Sequence, residues 1–219
     1  MVLHSMKKKE ARVASIAVLV SGGGTNLQAL IDAQKRGELR SGRIRLVISN
    51  TKDAYALERA RVAGIESAMV LKKELGSTEA FEGKIRSLLD EYHIDLIVLA
   101  GFMSILSADF TAAYPKRIIN IHPSLIPSFC GKGYYGIHVH EAAMARGVRI
   151  TGATVHYVNE IPDGGEIIMQ KAVAVRHNDT PETLQKRVMR MAEWKILPAA
   201  VEKVSSRLVA EGTASENNQ

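Results

Sequence analysis

The chain is poor in cysteine, aromatics and long apolar runs, and each shortage closes off a class of protein. A single cysteine, Cys130, occurs in 219 residues, so no disulfide within the chain can staple the fold. That usage suits a reducing compartment, and the expected location is the cytoplasm. Aromatic residues make up only 5% of the chain. Lys and Arg are spread along it apart from "KKK" near the start, with no basic stripe interleaved with aromatics. A nucleic-acid partner is therefore not expected. No apolar run approaches the roughly 20 residues of a membrane span. The opening "MVLHSMKKKEARVAS" is basic, and the "IAVLV" after it is shorter than a signal-peptide core of about 7–15 residues. Residues 1–15 read as a flexible arm. No repeat, low-complexity segment or linker divides the rest, so 16–210 reads as one domain and 211–219 as a disordered tail.

What is present is a core-forming composition with excess positive charge. Hydrophobic residues are 46% of the chain, enough for one globular core. A net charge of +6 without a nucleic-acid signature points to small anionic substrates drawn by the protein's field.

Short β-branched runs alternate with longer amphipathic ones. Strands are expected at 16–20, 43–49, 95–101, 117–121, 151–158 and 165–175. The run 151–158 alternates by two, as a half-exposed strand does. Helices are expected over "TNLQALIDAQKRGEL", over 53–64 with Asp53 as N-cap and Gly64 as stop, and over 77–93. A short helix should precede 117, and a long C-terminal helix should break near Pro198. The fold class is α/β: a Rossmann-like, mostly parallel twisted sheet with helices on both faces, mixed in the C-terminal half.

"VLVSGGGTNLQALID" puts three glycines between the first strand and the first helix. Backbone N–H groups at a helix N-terminus attract anions, and glycines admit a phosphate closely. The loop lacks the Gly-Lys-Ser/Thr of a Walker loop. Leu27 stands where a dinucleotide fingerprint needs its third glycine, and Asn50, not an acid, falls near the ribose position. A single phosphate or phosphoribosyl group fits better; a tight turn with no ligand is the alternative.

In a parallel sheet, ligands gather at the carboxyl ends of the strands. "RIINIHPSLIP" delivers Asn120 and His122 there, two apart and so on one side of extended chain. Pro123 keeps His122 extended. An amide donor beside an imidazole can hold an oxyanion and move a proton. "NEIPDGGE" exposes Asp163 in a tight turn, and a carboxylate near a histidine fixes its tautomer. Each residue has a plain structural reading too: a strand-end histidine, an ordinary Asp-Gly-Gly turn. "GIHVHEA" offers His138 and His140, with His122 and His156 as further imidazoles, but no cysteine or acid cluster completes a metal site, and none is expected. Met103, Ile105 and Leu106 are either core or the wall of a pocket for a flat ring.

"SGGGTNLQALID", "VLAGFMSIL", "INIHPSLIP" and "TVHYVNEIPDGGEII" follow one another in the order and spacing of the phosphoribosylglycinamide formyltransferases of purine biosynthesis. The resemblance runs from about Ile16 to Pro198. It implies formyl transfer from 10-formyltetrahydrofolate, a co-substrate, to the amine of glycinamide ribonucleotide. It implies that the loop Gly23, Gly24, Thr25 and Asn26 holds the phosphate and that Glu193 binds the ribose hydroxyls. The catalytic trio would be Asn120, His122 and Asp163. Asn120 would donate to a tetrahedral oxyanion, a protonated His122 would stabilise it, and Asp163 would support the imidazolium. The pterin would lie against Met103, Ser104, Ile105, Leu106 and Val158, with Asn120 and Asp163 beside it. The Ile126–Pro127 bond is expected to be cis and Ser124 to be structural.

The chain departs from the pattern where Ser104 and Thr78 replace basic residues that hold the folate glutamate. It also departs in a longer "SFCGKGYYGIHVHEA" segment, where Lys132 and the tyrosines reshape the rim. Two relatives share the trio. A formyltetrahydrofolate deformylase carries an N-terminal regulatory domain and a methionyl-tRNA formyltransferase a C-terminal domain for tRNA, and neither is expected from the ends of this sequence. A binding module without chemistry is the remaining alternative. The expected state is monomer or homodimer.

Overall fold

The computed structural model describes residues 12–216. Most of the expected arm lies outside them, but its last four residues do not. Ala14 and Ser15 begin strand β1 (Ala14–Val20), where Ser15 N–H donates to Asp95 Oδ2 at 2.8 Å. The chain then runs α1 (Thr25–Lys35), β2 (Gly42–Ser49), α2 (Tyr55–Val62), β3 (Glu66–Met69), α3 (Lys72–Leu75) and α4 (Thr78–Glu91). There follow β4 (Leu96–Leu99), α5 (Ala108–Ala113), β5 (Ile118–His122), α6 (Ile137–Arg146), β6 (Ile150–Tyr157), β7 (Ile167–Ala174), α7 (Pro181–Val188), a π turn (Met189–Glu193) and α8 (Trp194–Glu216).

One seven-stranded sheet has the order β3-β2-β1-β4-β5-β6-β7. The first five strands in this order are parallel, while β6 is antiparallel to both β5 and β7. Side chains alternate between two cores. Ile16, Val18 and Val20 of β1 pack with α1 and α8, whereas Ala17 and Leu19 pack with α4 and α5. A bulge between Ile16 and Ala17 advances the β2 register, so Ile44 and Val47 reach the same core although they are three apart.

Several local expectations change. Asp53 does not cap α2; the N-cap is Ala54, which makes no side-chain cap bond. Ser77 does cap α4, accepting from Ala80 N–H at 3.1 Å. The edge strand β3, "ESAM", is mostly exposed and gave no apolar run to read. Strand β6 is not half-exposed: from Thr151 to His156 it is buried on both faces, because β5 and β7 flank it and helices cover it. Thr154 Oγ1–H donates to Ser124 O at 2.7 Å, while Thr151 Oγ1 is buried with no hydrogen-bond partner. The C-terminal helix does not break at Pro198. It widens into the π turn just before, and α8 runs through the proline, whose ring and missing N–H weigh on the carbonyl of the turn below. Residues 211–216, expected to be disordered, continue α8.

Candidate active site

The strand order reverses between β1 and β4, and the loops after them form one edge. Ser21 N–H donates to Gly101 O at 3.1 Å and Met103 N–H donates to Ser21 Oγ at 2.7 Å, tying the glycine loop to the segment after β4. Strand β5 ends beside them, and its last residues are Asn120 and His122.

The antiparallel register of β5 and β6 sets Asn120 opposite His156. His156 Nδ1–H donates to Tyr157 O at 2.8 Å. In the neutral ring this leaves Nε2 to accept from Asn120 Nδ2, 3.2 Å away. The bond orients the amide with its nitrogen inward, 3.5 Å from Asp163 Oδ1. The carboxylate faces both imidazoles: Oδ1 lies 3.5 Å from His156 Nε2, and Oδ2 lies 3.5 Å from His122 Nδ1. Gly131 N–H donates to Oδ2 at 2.8 Å. His122 Nε2–H donates to Phe129 O at 2.8 Å, so Nδ1 is the ring nitrogen left to take or give a proton.

Asp163 reaches this place through a strained turn. Its φ of 57° is left-handed, a region that Asp tolerates better than most residues. The glycines after it have no room for a side chain: a Cβ on Gly165 would stand 1.8 Å from Tyr157 O. Burial pushes the Asp163 carboxyl up, but His156, His122 and the Gly131 N–H together outweigh it and hold the group below the usual carboxylate range. It is ionised at neutral pH. Burial pulls the His122 imidazole below its ordinary value, only partly offset by Asp163 and the Phe129 carbonyl, with His156 lowering it further. The free protein therefore holds His122 neutral, where a protonated ring was expected.

At the glycine loop, Gly24 caps α1 with a φ of 68°, and the N–H groups of Thr25 and Asn26 open the helix. Asn26 Nδ2 donates to Glu193 Oε2 at 2.7 Å, across 167 residues of sequence. Glu193 comes from the π turn and is buried; desolvation pushes its carboxyl up to about 7, against the Asn26 bond. Asn26 Oδ1 is buried with no hydrogen-bond partner.

Two cavities meet at Asn120 and Asp163. The larger, about 620 Å³, runs from Asn26 and Glu193 past His122 and His140 to Met103, Asn120 and Asp163. The smaller, about 100 Å³, is walled by Leu99, Phe102, Ile105, Leu106 and Val158, with Ser104, Asn120 and Asp163 on its rim. Met103, expected beside the flat ring, lines the larger cavity; Leu106 is both core and wall. Ser104 Oγ accepts from Asn50 Nδ2 at 2.8 Å. Thr78 is the first residue of α4 and lines neither cavity. The Ile126–Pro127 bond is cis, and Ser124 Oγ–H donates to Ser128 O at 2.5 Å.

The H-x-H pair divides on α6. His138 is exposed and its Nδ1 lies 2.8 Å from a Glu141 carboxylate oxygen, while His140 is buried, its imidazole pulled down to about 4 chiefly by burial. Among the described residues no group of three His, Cys, Asp or Glu side chains stands ready to hold a metal ion. His156 was read from the sequence only as a spare imidazole; the β5–β6 register makes it the amide's anchor.

Residues 14–201 match the family model described as formyl transferase. The chain belongs to the formyl transferase family. Within it, the chain belongs with the phosphoribosylglycinamide formyltransferases. It is 41% identical over 187 residues to the enzyme of that name from Escherichia coli, covering 85% of each chain. The crystal structure of glycinamide ribonucleotide transformylase 1 from Symbiobacterium toebii superposes with a TM-score of 0.82 at 40% identity, covering 89% of this chain and 88% of that one. The human trifunctional purine biosynthetic protein adenosine-3 is 45% identical over 208 residues, and this chain spans 20% of its length.

Proposed function

We propose that the chain transfers the formyl group of 10-formyltetrahydrofolate to the amine of glycinamide ribonucleotide, a step of purine biosynthesis. The observation that carries this reading is the meeting of the two cavities at Asn120 and Asp163. Two substrates entering from the two sides would bring their reacting atoms to the same amide and carboxylate. The small apolar-walled cavity suits the edge of a flat ring. The large one has a phosphate-accepting helix start and a diol-accepting Glu193.

The folate, when bound, supplies the formyl carbon. This chain's own residues do the rest. The Asn120 amide, held by His156, presents an N–H to the oxygen as it gains charge. His122 Nδ1 is unprotonated in the free protein, so it can take the amine proton as nitrogen attacks carbon. Asp163 at 3.5 Å then stabilises the imidazolium until the proton passes to the leaving nitrogen. The reading includes the cytoplasm as location, small-molecule partners and a monomer or homodimer.

The test is an assay of purified protein with both substrates, following the deformylated folate. Release that requires the ribonucleotide is expected. Release without the amine would favour a deformylase, and no release in either case a binding module.

A further inference from the structure

The glycine loop has two faces, and helix α2 occupies one of them. Ala56 N–H donates to Gly22 O at 3.1 Å, and Arg59 Nε–H donates to Gly23 O at 2.8 Å. Both glycine carbonyls are thereby turned toward α2. Gly24 lies so close that a Cβ on it would stand 2.6 Å from Ala56 Cβ and 3.4 Å from Arg59 Cδ. A peptide unit points its C=O and the N–H of the next residue in opposite directions. Consuming the carbonyls of Gly22 and Gly23 on the α2 side therefore turns the N–H groups of Gly23 and Gly24 away from it.

Arg59 is itself fixed. Its Nη1–H donates to Gln28 Oε1 at 2.9 Å, and its guanidinium lies over the Tyr55 ring at 4.9 Å. Among the described residues it makes no ion pair, and its hydrogen-bonding partners here are a carbonyl and a neutral amide. It thus holds a positive charge directly behind the loop, with Asp32 one hydrogen bond further away through Gln28. A lysine at this position would have the charge but not the planar fork that reaches Gly23 and Gln28 together. Asn26, at the mouth of the same loop, is buried with an unpartnered Oδ1 and lines the large cavity, an independent sign that a ligand with a hydroxyl or amine donor beside its phosphate completes this end.

We propose that Arg59 is the positioning residue of the phosphate subsite. It aims the loop's N–H groups by binding the opposite carbonyl, and it supplies the fixed positive charge behind them. This rests on the reading of the loop as a phosphate site. Residues Thr25, Gln28 and Arg59 share a third cavity beside the loop, of about 260 Å³, so the guanidinium is reachable by solvent and by small solutes.

The test compares wild type with Arg59→Ala and Arg59→Lys. For Arg59→Ala, KM for glycinamide ribonucleotide should rise about 10- to 100-fold, with kcat and the folate KM within about two-fold. The Kd for ribose 5-phosphate, measured by calorimetry without turnover, should weaken by a similar factor. Millimolar guanidinium should restore part of the loss, and Arg59→Lys should fall between. Unchanged ribonucleotide KM and ribose 5-phosphate Kd in Arg59→Ala would overturn the proposal, as would a loss shared equally by the folate KM. Should Arg59→Ala misfold, Arg59→Lys binding ribose 5-phosphate as tightly as wild type would overturn it. The calorimetry separates the two readings. A wild type that binds ribose 5-phosphate but forms no product leaves Arg59 testable while the proposed reaction fails.

Discussion

Asp163 spends both oxygens on the site, one facing Asn120 and His156 and the other His122 and the Gly131 amide. Removing its charge should therefore act on rate more than on ribonucleotide affinity. Asp163→Asn is expected to lower kcat far more than it raises the ribonucleotide Kd, measured by steady-state kinetics and calorimetry. Asn120→Ala removes the donor to the developing oxyanion and should cost roughly 10²–10³ in kcat. Glu193 makes a different prediction. Its carboxyl is raised to about 7 by burial, well above the value of an exposed glutamate. A raised folded pKa gives stability that is complete below the unfolded value, near pH 4.3, and is lost as pH rises through the folded one. Thermal stability should thus fall between about pH 5 and about pH 8, and Glu193→Gln should flatten that fall. An equally steep fall in the variant would assign the pH dependence elsewhere.

Among the elements, the β5–β6 ladder and the loop after β6 matter most for the site. The ladder aligns Asn120 with His156, and the Asp-Gly-Gly turn returns the chain so tightly that Gly165 touches the Tyr157 carbonyl. Gly165→Ala should force this turn open and move Asp163. It should cost about 1–3 kcal/mol in denaturant unfolding, with a loss of turnover larger than the loss of stability would explain. The π turn has a comparable role at the other end of the cavity, since Glu193 is its last residue. Such turns inside α-helices frequently lie at functional sites.

At the scale of the molecule, the sheet joins a parallel Rossmann-like half to an antiparallel extension. The first half contributes the glycine loop and Asn120; the extension contributes His156 and Asp163. With a net charge of +6, the protein should draw anionic substrates over distance. Raising salt from about 50 to about 500 mM should lower kcat/KM for the ribonucleotide several-fold while leaving kcat largely unchanged. Among the described residues no helix is long and apolar enough to cross a membrane.

The sequence by itself determined the strand–helix alternation, because β-branched runs and amphipathic periods act over a few residues. It also brought Asn120 and His122 together, because residues two apart share one side of one strand. It misread β6 as half-exposed and missed β3. Burial on the second face of a strand, and pairing at an edge, depend on what packs there, and local pattern carries no record of that. Only the tertiary structure decided that His156 orients Asn120, that Asn26 meets Glu193, and that α2 turns the carbonyls of the glycine loop. These are contacts between residues 36 to 167 positions apart. The same holds for the His122 proton. The residue type sets an ordinary value near 6.5, but desolvation in the folded site pulls it down further than Asp163 and the Phe129 carbonyl push it up, and Nδ1 is left unprotonated.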